Sequence, residues 1–181
     1  ISAFALGHTE HVLSTTHVAA GQDLIVAACV EGSMREDFPF FASFAERGHR
    51  LGDDVRLLAR IADEGLAASA KDISMAGLFG SLAMLLEWGT FGATIDLGVL
   101  PTPSGVALSR WCNCFPCFGF LLTCDPRTTQ GCLDVFIDAG LSAAKVGSID
   151  TTGLLTVIAG SESRTVLDLN SQSVTGLTRD S

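Results

Sequence analysis

Positive charge is scarce in this sequence. Lysine and arginine together number 11, against 20 aspartate and glutamate residues, so the net charge is −9. Proteins that bind nucleic acid or anionic membranes generally present clustered lysine and arginine side chains. We therefore expect neither nucleic acid nor a membrane as a partner, although one local basic pocket remains compatible with this charge balance.

Long apolar runs are also missing. No stretch approaches the ~20 apolar residues that a membrane-spanning helix needs, and the first residues lack the pattern of a signal peptide. The six cysteines lie mostly among apolar residues and do not form the pattern of a disulfide scaffold, so we expect a reducing, cytoplasmic setting. The chain starts at Ile1 rather than at a methionine, so we also expect it to be a piece of a longer protein.

Repeats of fixed period and low-complexity linkers are absent, and hydrophobic residues make up 48% of the chain. A chain of this size and composition can fill one core. Apolar periodicity and turn residues predict strands at 23–30, 92–97, 118–124, 143–149, 154–160 and 164–169 and a short strand or turn at 67–74. They predict helices at 53–65, 77–89 and 126–140, and a broken helix or packed loop at 36–48. This order predicts an α+β fold in which helices pack on a mixed β-sheet.

The cysteines lack the arrangement of a metal site. Cys112, Cys114 and Cys117 form C-x-C-x-x-C, but a structural zinc site usually needs a second pair of ligands. Cys124 cannot supply it, because a strand would separate it from Cys117 by roughly 23 Å. We predict free cysteines and no metal ion, with a metal or thiol function of the three clustered cysteines as the alternative.

The stretch "AKDISMAGLFG" at 70–80 is the best candidate site. Lys71 and Asp72 end a short predicted strand, and Ser74 is a candidate N-cap of the following helix. Charged side chains at such a junction suit an anionic ligand or a cation, and Gly77 allows close approach of a ligand. The Walker order G-x-x-x-x-G-K-[ST] is not present. The alternative is a capped helix with a surface lysine and aspartate.

Several stretches resemble the AIR synthase superfamily, which includes aminoimidazole ribonucleotide synthetase, selenophosphate synthetase and thiamine-monophosphate kinase. "KDISMAGLFGSLAMLLE" is similar to the family's D-I-S-x-G-G-L strand–turn–helix, and "CFPCFGFLLTC" to its F-N-M-G-x-G loop and strand. "GHT" at 7–9 resembles the G-G-[HDEN]-T that ends the N-terminal domain, and "GLSAAKVGSI" resembles A-x-x-I-G-x-V. These matches occur in the family's order along nearly the whole chain.

The resemblance implies an AIR synthase C-terminal-domain fold for residues 21–181, with residues 1–20 as the tail of an N-terminal ATP-binding domain and a linker. Family members transfer a phosphoryl group from ATP and bind ATP and Mg²⁺ mainly through the N-terminal domain. It therefore implies ATP and Mg²⁺ for the intact protein and no cofactor for this fragment. The implied partners are the N-terminal domain, a small-molecule substrate and, through N-terminal strands, a second copy in a homodimer.

The same resemblance implies roles for six residues. They are Lys71 and Asp72 as catalytic residues, and Ser74, Gly77, His8 and Thr9 as substrate-binding residues, the last two near the phosphates. The sequence departs from the family pattern at Met75 and Ala76, where many relatives carry a polar residue and a glycine, and at Leu6, where the first glycine of the G-G-[HDEN]-T motif is expected. A binding or scaffold domain without catalysis is therefore the alternative function.

Overall fold

A computed structural model describes residues 6–177. The β-strands in this range are β1 (Asp23–Ala28), β2 (Ser33–Met34), β3 (Phe40–Ala42), β4 (Ser69–Asp72), β5 (Gly92–Asp96), β6 (Phe115–Pro116), β7 (Gly119–Cys124), β8 (Ser142–Asp150), β9 (Leu154–Ala159) and β10 (Glu162–Asp168). The α-helices are α1 (Phe44–Arg47), α2 (Leu51–Asp54), α3 (Leu57–Asp63), α4 (Gly77–Leu86), α5 (Leu108–Cys112) and α6 (Thr129–Asp138).

Seven strands form one mixed sheet in the order β10-β9-β5-β8-β1-β7-β4. β5 and β9 run parallel, and the other neighbouring strands run antiparallel. All six residues of β1 are buried, because helices cover both faces of the sheet at this strand. β4 and β10 are the edges of the sheet, and β4 carries the candidate site.

Each face of the sheet has its own core. Leu24 of β1 packs with α4 and α5 on the first face, while Ile25 packs with α3 and α6 on the second. Successive side chains of a strand point to opposite faces, so one strand serves both cores. The predicted α+β fold with helices packed on a mixed sheet is confirmed. Within residues 6–177, no helix has the length and apolar composition needed to cross a bilayer.

Two local predictions were wrong. The segment 36–48 contains strand β3 and the short helix α1, because β3 pairs with β2 and with β6, which is distant in sequence. The single helix predicted at 53–65 is divided into two, and Val55 between them is 63% exposed. The reason is that α2 ends at Asp54 and α3 begins only at Leu57, so Val55 lies at the junction between two helices.

Candidate functional site

A cavity of about 440 Å³ lies beside the end of the edge strand β4. We call it the edge cavity; its lining residues come from the N-terminal segment, α3, β4 and β7, and they are Thr9, His11, Val12, Leu13, Leu58, Ala59, Ala62, Ala70, Lys71, Asp72 and Phe120. One end is charged and the rest is mainly apolar. A small concave site of this mixed character can bind a molecule that has one polar end.

Lys71 and Asp72 form the charged end of the edge cavity. Pairing of β4 with β7 places Asp72 opposite Phe120. The Asp72 side chain is 61% exposed and the Lys71 side chain 23%. The Lys71 ammonium contacts the Asp72 carboxylate and also donates to the Asp72 carbonyl oxygen at 3.2 Å. A positive point charge is therefore held at the cavity by the neighbouring carboxylate.

The two predicted substrate-binding residues of the N-terminal segment, His8 and Thr9, differ in their position relative to the edge cavity. Thr9 lines the edge cavity, but His8 is exposed and does not. The Thr9 hydroxyl donates to the carbonyl oxygen of His11 at 3.0 Å and accepts from the His11 amide at 3.2 Å. This local turn places His11 in the cavity lining.

Ser74 is not the N-cap of α4, so that prediction was wrong. Ala76 occupies the N-cap position and makes no side-chain capping bond. The Ser74 amide instead donates to Ser81 Oγ at 3.0 Å, and the Ser74 carbonyl accepts from the Gly77 amide at 2.8 Å. Residues 74–77 therefore form a turn in which these backbone groups are already paired.

Gly77 has a packing role that its sequence position did not reveal. Its φ is +67°, and a Cβ at this position would lie 2.5 Å from the carbonyl oxygen of Cys112 at the end of α5. Only glycine fits such a conformation and such a close approach. Gly77 and Ser74 do not line the edge cavity, since α4 packs on the first face of the sheet and α3 forms the cavity wall on the second.

Phe120 is an aromatic residue of the cavity lining that the sequence did not identify. Its ring stacks on Phe136 with a centroid distance of 6.4 Å and contacts Phe118 edge-on at 5.7 Å. These contacts fix the ring as part of the apolar wall. The sequence predicts a strand at this position, but it does not contain the pairing that brings Phe120 opposite Asp72.

Of the clustered cysteines, Cys112 and Cys114 are buried and Cys117 is half-buried. Burial raises the pKa of Cys112 to about 11, and burial is also the main cause that raises the pKa of Cys114 to about 11. A hydrogen bond with Cys132, together with burial, raises the pKa of Cys124. Such thiols stay protonated at neutral pH, whereas metal binding and nucleophilic attack need the thiolate. No three His, Cys, Asp or Glu side chains within residues 6–177 are grouped to hold a metal ion.

The fold and the edge cavity define an α+β domain whose mixed sheet carries a charged cavity at one edge. Family comparison agrees with this description. The chain belongs to the family described as AIR synthase related protein, C-terminal domain, whose profile matches residues 27–160. The resemblance seen in the sequence motifs is therefore confirmed.

Two curated relatives match almost the whole chain. A protein of Synechocystis is 32% identical over 179 residues, which cover 97% of this chain and 55% of that protein. A protein of Methanocaldococcus jannaschii is 26% identical over 178 residues, with the same coverages. Both are described as uncharacterised. The chain thus spans about half the length of these relatives.

Solved structures share the fold at low sequence identity. Phosphoribosylformylglycinamidine synthase II of Thermotoga maritima superposes with a TM-score of 0.67 and 16% identity, over 84% of this chain and 26% of that one. The hydrogenase maturation protein HypE of Escherichia coli gives a TM-score of 0.66 and 14% identity, over 88% of this chain and 54% of that one. At these identities the likeness shows the fold alone.

Proposed function

We propose that this chain is the substrate-side C-terminal domain of an AIR synthase-related enzyme that transfers a phosphoryl group from ATP. The edge cavity is the observation that carries this proposal. It combines the Lys71–Asp72 pair and the Thr9 hydroxyl with an apolar wall. Such a lining suits a small substrate with one anionic end, or a substrate that becomes anionic when it is phosphorylated.

ATP is proposed as the phosphoryl donor because a protein of the same fold has been solved with bound nucleotides. PurL of T. maritima has been solved in complexes with ATP, with ADP and with FGAR. In this chain, the Lys71 ammonium and the Thr9 hydroxyl can contact phosphate oxygens. Asp72 supplies one exposed carboxylate, whereas Mg²⁺ requires six oxygen ligands in a near-octahedral arrangement. In this proposal an N-terminal domain therefore holds Mg²⁺ and most of ATP, and the fragment alone binds no cofactor.

The same proposal divides the chain into two parts at residue 20. In this proposal residues 21–181 form the C-terminal domain, and residues 1–20 are the tail of the N-terminal ATP-binding domain and the linker. This division is supported by the coverage of the two curated relatives, of which the chain spans about half. The N-terminal segment also supplies Thr9 and His11 to the edge cavity, as expected of a connection that passes the cleft.

The charged residues have separate roles in the proposed reaction. Lys71 compensates negative charge on the transferred phosphoryl group, as a point charge near a phosphate. Asp72 holds Lys71 in place and contacts the substrate or the cation. His8 and Ser74 lie outside the edge cavity, and in this proposal they contact the substrate only where it extends beyond the cavity. Gly77 acts by keeping the turn after Asp72 in place against α5.

The proposal is tested on the longer protein, with its N-terminal region joined to this chain. ATP hydrolysis is measured by ADP release with and without candidate substrates. We expect Lys71→Ala to lower the substrate-dependent rate by about 100-fold, as for loss of one charge-stabilising group, and Asp72→Ala to lower it as well. Arg127→Ala is the control, since Arg127 is a surface residue outside the edge cavity. An unchanged rate in Asp72→Ala and Lys71→Ala would contradict the assigned roles.

A binding or scaffold domain without catalysis is the second candidate. It is favoured by Met75 and Ala76, the apolar residues at the turn after Asp72. Met75 is 70% exposed, and neither side chain offers a polar atom to a phosphate. A longer protein that binds ATP in a calorimetric titration but releases no ADP with any candidate substrate would support this second function.

A further inference from the structure

The free edge of β10 offers a place for another strand. We infer that a second copy of this chain pairs antiparallel with β10, so that two seven-stranded sheets join into one across a two-fold axis. Residues 161–166 are all exposed. Within the described range, the backbone of 162–167 makes no hydrogen bonds beyond its ladder with β9. This inference does not depend on the proposed function, because the edge cavity lies at the opposite edge of the sheet.

The hairpin geometry determines which backbone groups face outward. β9 and β10 are joined by the two-residue loop Gly160 and Ser161, and Ala159 faces Glu162. The closing pair of such a hairpin exchanges hydrogen bonds, and inward and outward directions then alternate along the strand. The N–H and C=O groups of Ser163 and Thr165 therefore point away from β9. These are the groups that a further strand can bind.

A bulge limits the usable length of this edge. The β9–β10 register shifts between Thr165 and Leu167, and such a bulge bends the strand and interrupts its regular edge. The regular part is therefore 161–165, with Ser163 at its centre. A two-fold antiparallel pairing of this segment with itself places Ser163 opposite Ser163 of the second copy.

The charges favour this register over its neighbours. It puts Glu162 opposite Arg164 of the second copy, and Arg164 opposite Glu162, in positions without backbone hydrogen bonds, where facing side chains come closest. A register centred on Arg164 would place Arg164 opposite Arg164 of the second copy. A register centred on Thr165 would place Glu162 opposite Asp168 of the second copy, so both registers bring like charges together. Within residues 6–177, neither Glu162 nor Arg164 has an ion-pair partner of its own.

The other edge of the sheet is less suited to pairing. β4 has four residues, and the N-terminal segment that lines the edge cavity lies alongside it. β10 has seven residues and no such cover on its exposed part. Exposed strand edges pair readily with other strands, and main-chain hydrogen bonds then supply the affinity.

Sedimentation velocity of the 181-residue chain over a range of concentrations tests the inference. We expect a monomer–dimer equilibrium. Glu162→Arg should raise the dissociation constant about tenfold, because two attractive pairs become repulsive. The double variant Glu162→Arg/Arg164→Glu should restore the original constant. Ser163→Pro removes the central outward N–H without touching the β9 ladder, and it should abolish the dimer.

The matched control is Arg56→Glu, a charge reversal at an exposed ion pair outside β10, which should leave the dissociation constant unchanged. Circular dichroism of each variant checks that it is folded. A chain that stays monomeric at every concentration would show that Glu162 and Arg164 only protect the edge, and it would overturn the inference. A dimer that is insensitive to Glu162→Arg, or a double variant as weak as the single one, would overturn it too.

Discussion

Glu87 shows how one buried carboxylate holds the C-terminal segment. It is 3% exposed and accepts hydrogen bonds from residues 173–176, including the amides of Val174 at 2.6 Å and Thr175 at 2.8 Å. Burial alone would raise the pKa of Glu87, but these hydrogen bonds outweigh it and lower the pKa to about 2. Glu87 therefore stays ionised at neutral pH and ties residues 173–176 to the end of α4.

The lowered pKa of Glu87 predicts a pH-dependent contribution to stability. A carboxylate with a lowered folded pKa stabilises the fold above its ordinary pKa of 4.5, and this stabilisation is lost as the pH falls towards 2. We expect Glu87→Gln to lower the free energy of unfolding by about 2–3 kcal/mol at pH 7. The difference from the wild type should shrink steadily below pH 4.5, as measured by urea unfolding between pH 3 and 7.

The control for Glu87 is Glu64→Gln, which removes the same charge from an exposed pair with Arg60. It should change the free energy of unfolding little at any pH, since solvent screens exposed pairs. A difference between Glu87→Gln and the wild type that stays constant from pH 7 to pH 3 would contradict the lowered pKa.

At the scale of secondary-structure elements, a buried ion pair connects the short helices to α6. Arg47 at the end of α1 is 1% exposed, and Asp54 at the end of α2 is 2% exposed. The guanidinium donates to both Asp54 carboxylate oxygens, at 2.6 and 2.7 Å, and also to the carbonyl oxygens of Ala139 and Gly140. Those carbonyls at the end of α6 have no partner within their helix. One side chain thus joins three helices.

Removal of Arg47 should be costly because Asp54 would remain buried without a partner. We expect Arg47→Ala to lower the free energy of unfolding by about 3–5 kcal/mol. The double variant Arg47→Met/Asp54→Leu should lose less, because no uncompensated charge remains. Urea unfolding at pH 7 measures both variants, with Arg56→Ala at an exposed pair as the control. If Arg47→Ala were no more destabilising than Arg56→Ala, the buried pair would not have this role.

The elements also show how far the sequence could predict this molecule. α4 was predicted correctly because Leu78, Leu82, Leu85 and Leu86 repeat at helical spacing, and all four are buried. Such a repeat is a local property that the sequence contains. β3 was missed because three residues are too few for an alternation pattern, and its partner β6 is distant in sequence.

The same limit applies to the edge cavity. Lys71 and Asp72 were predicted from their place at a strand end, and the structure puts both in the cavity lining. Phe120 lies there only because β7 pairs with β4 in one particular register. His11 lies there because the N-terminal segment folds back beside β4. Strand register and chain path are long-range features, which a local sequence pattern does not specify.

At the scale of the whole molecule, two cores share one sheet. Leu82 of α4 belongs to the first core and Phe136 of α6 to the second, and both side chains are fully buried. β1 contributes alternate residues to each core. Because both cores pack on the same sheet, disruption of the sheet would expose the side chains of both cores to solvent. We therefore expect the described chain to unfold as one cooperative unit.

This cooperativity can be measured with one reporter in each core. Trp111 is buried in the first core and Cys132 in the second, and Trp88→Phe leaves Trp111 as the only tryptophan. Urea unfolding followed by Trp111 fluorescence and by mass-spectrometric detection of thiol labelling at Cys132, which distinguishes this thiol from the other five cysteines, should give coincident transitions. Leu82→Ala and Phe136→Ala should each lower the free energy of unfolding by about 2–5 kcal/mol, and each should shift both transitions equally. Val55→Ala, at an exposed position, should shift neither. If Leu82→Ala moved only the Trp111 transition, the two faces of the sheet would be separate folding units.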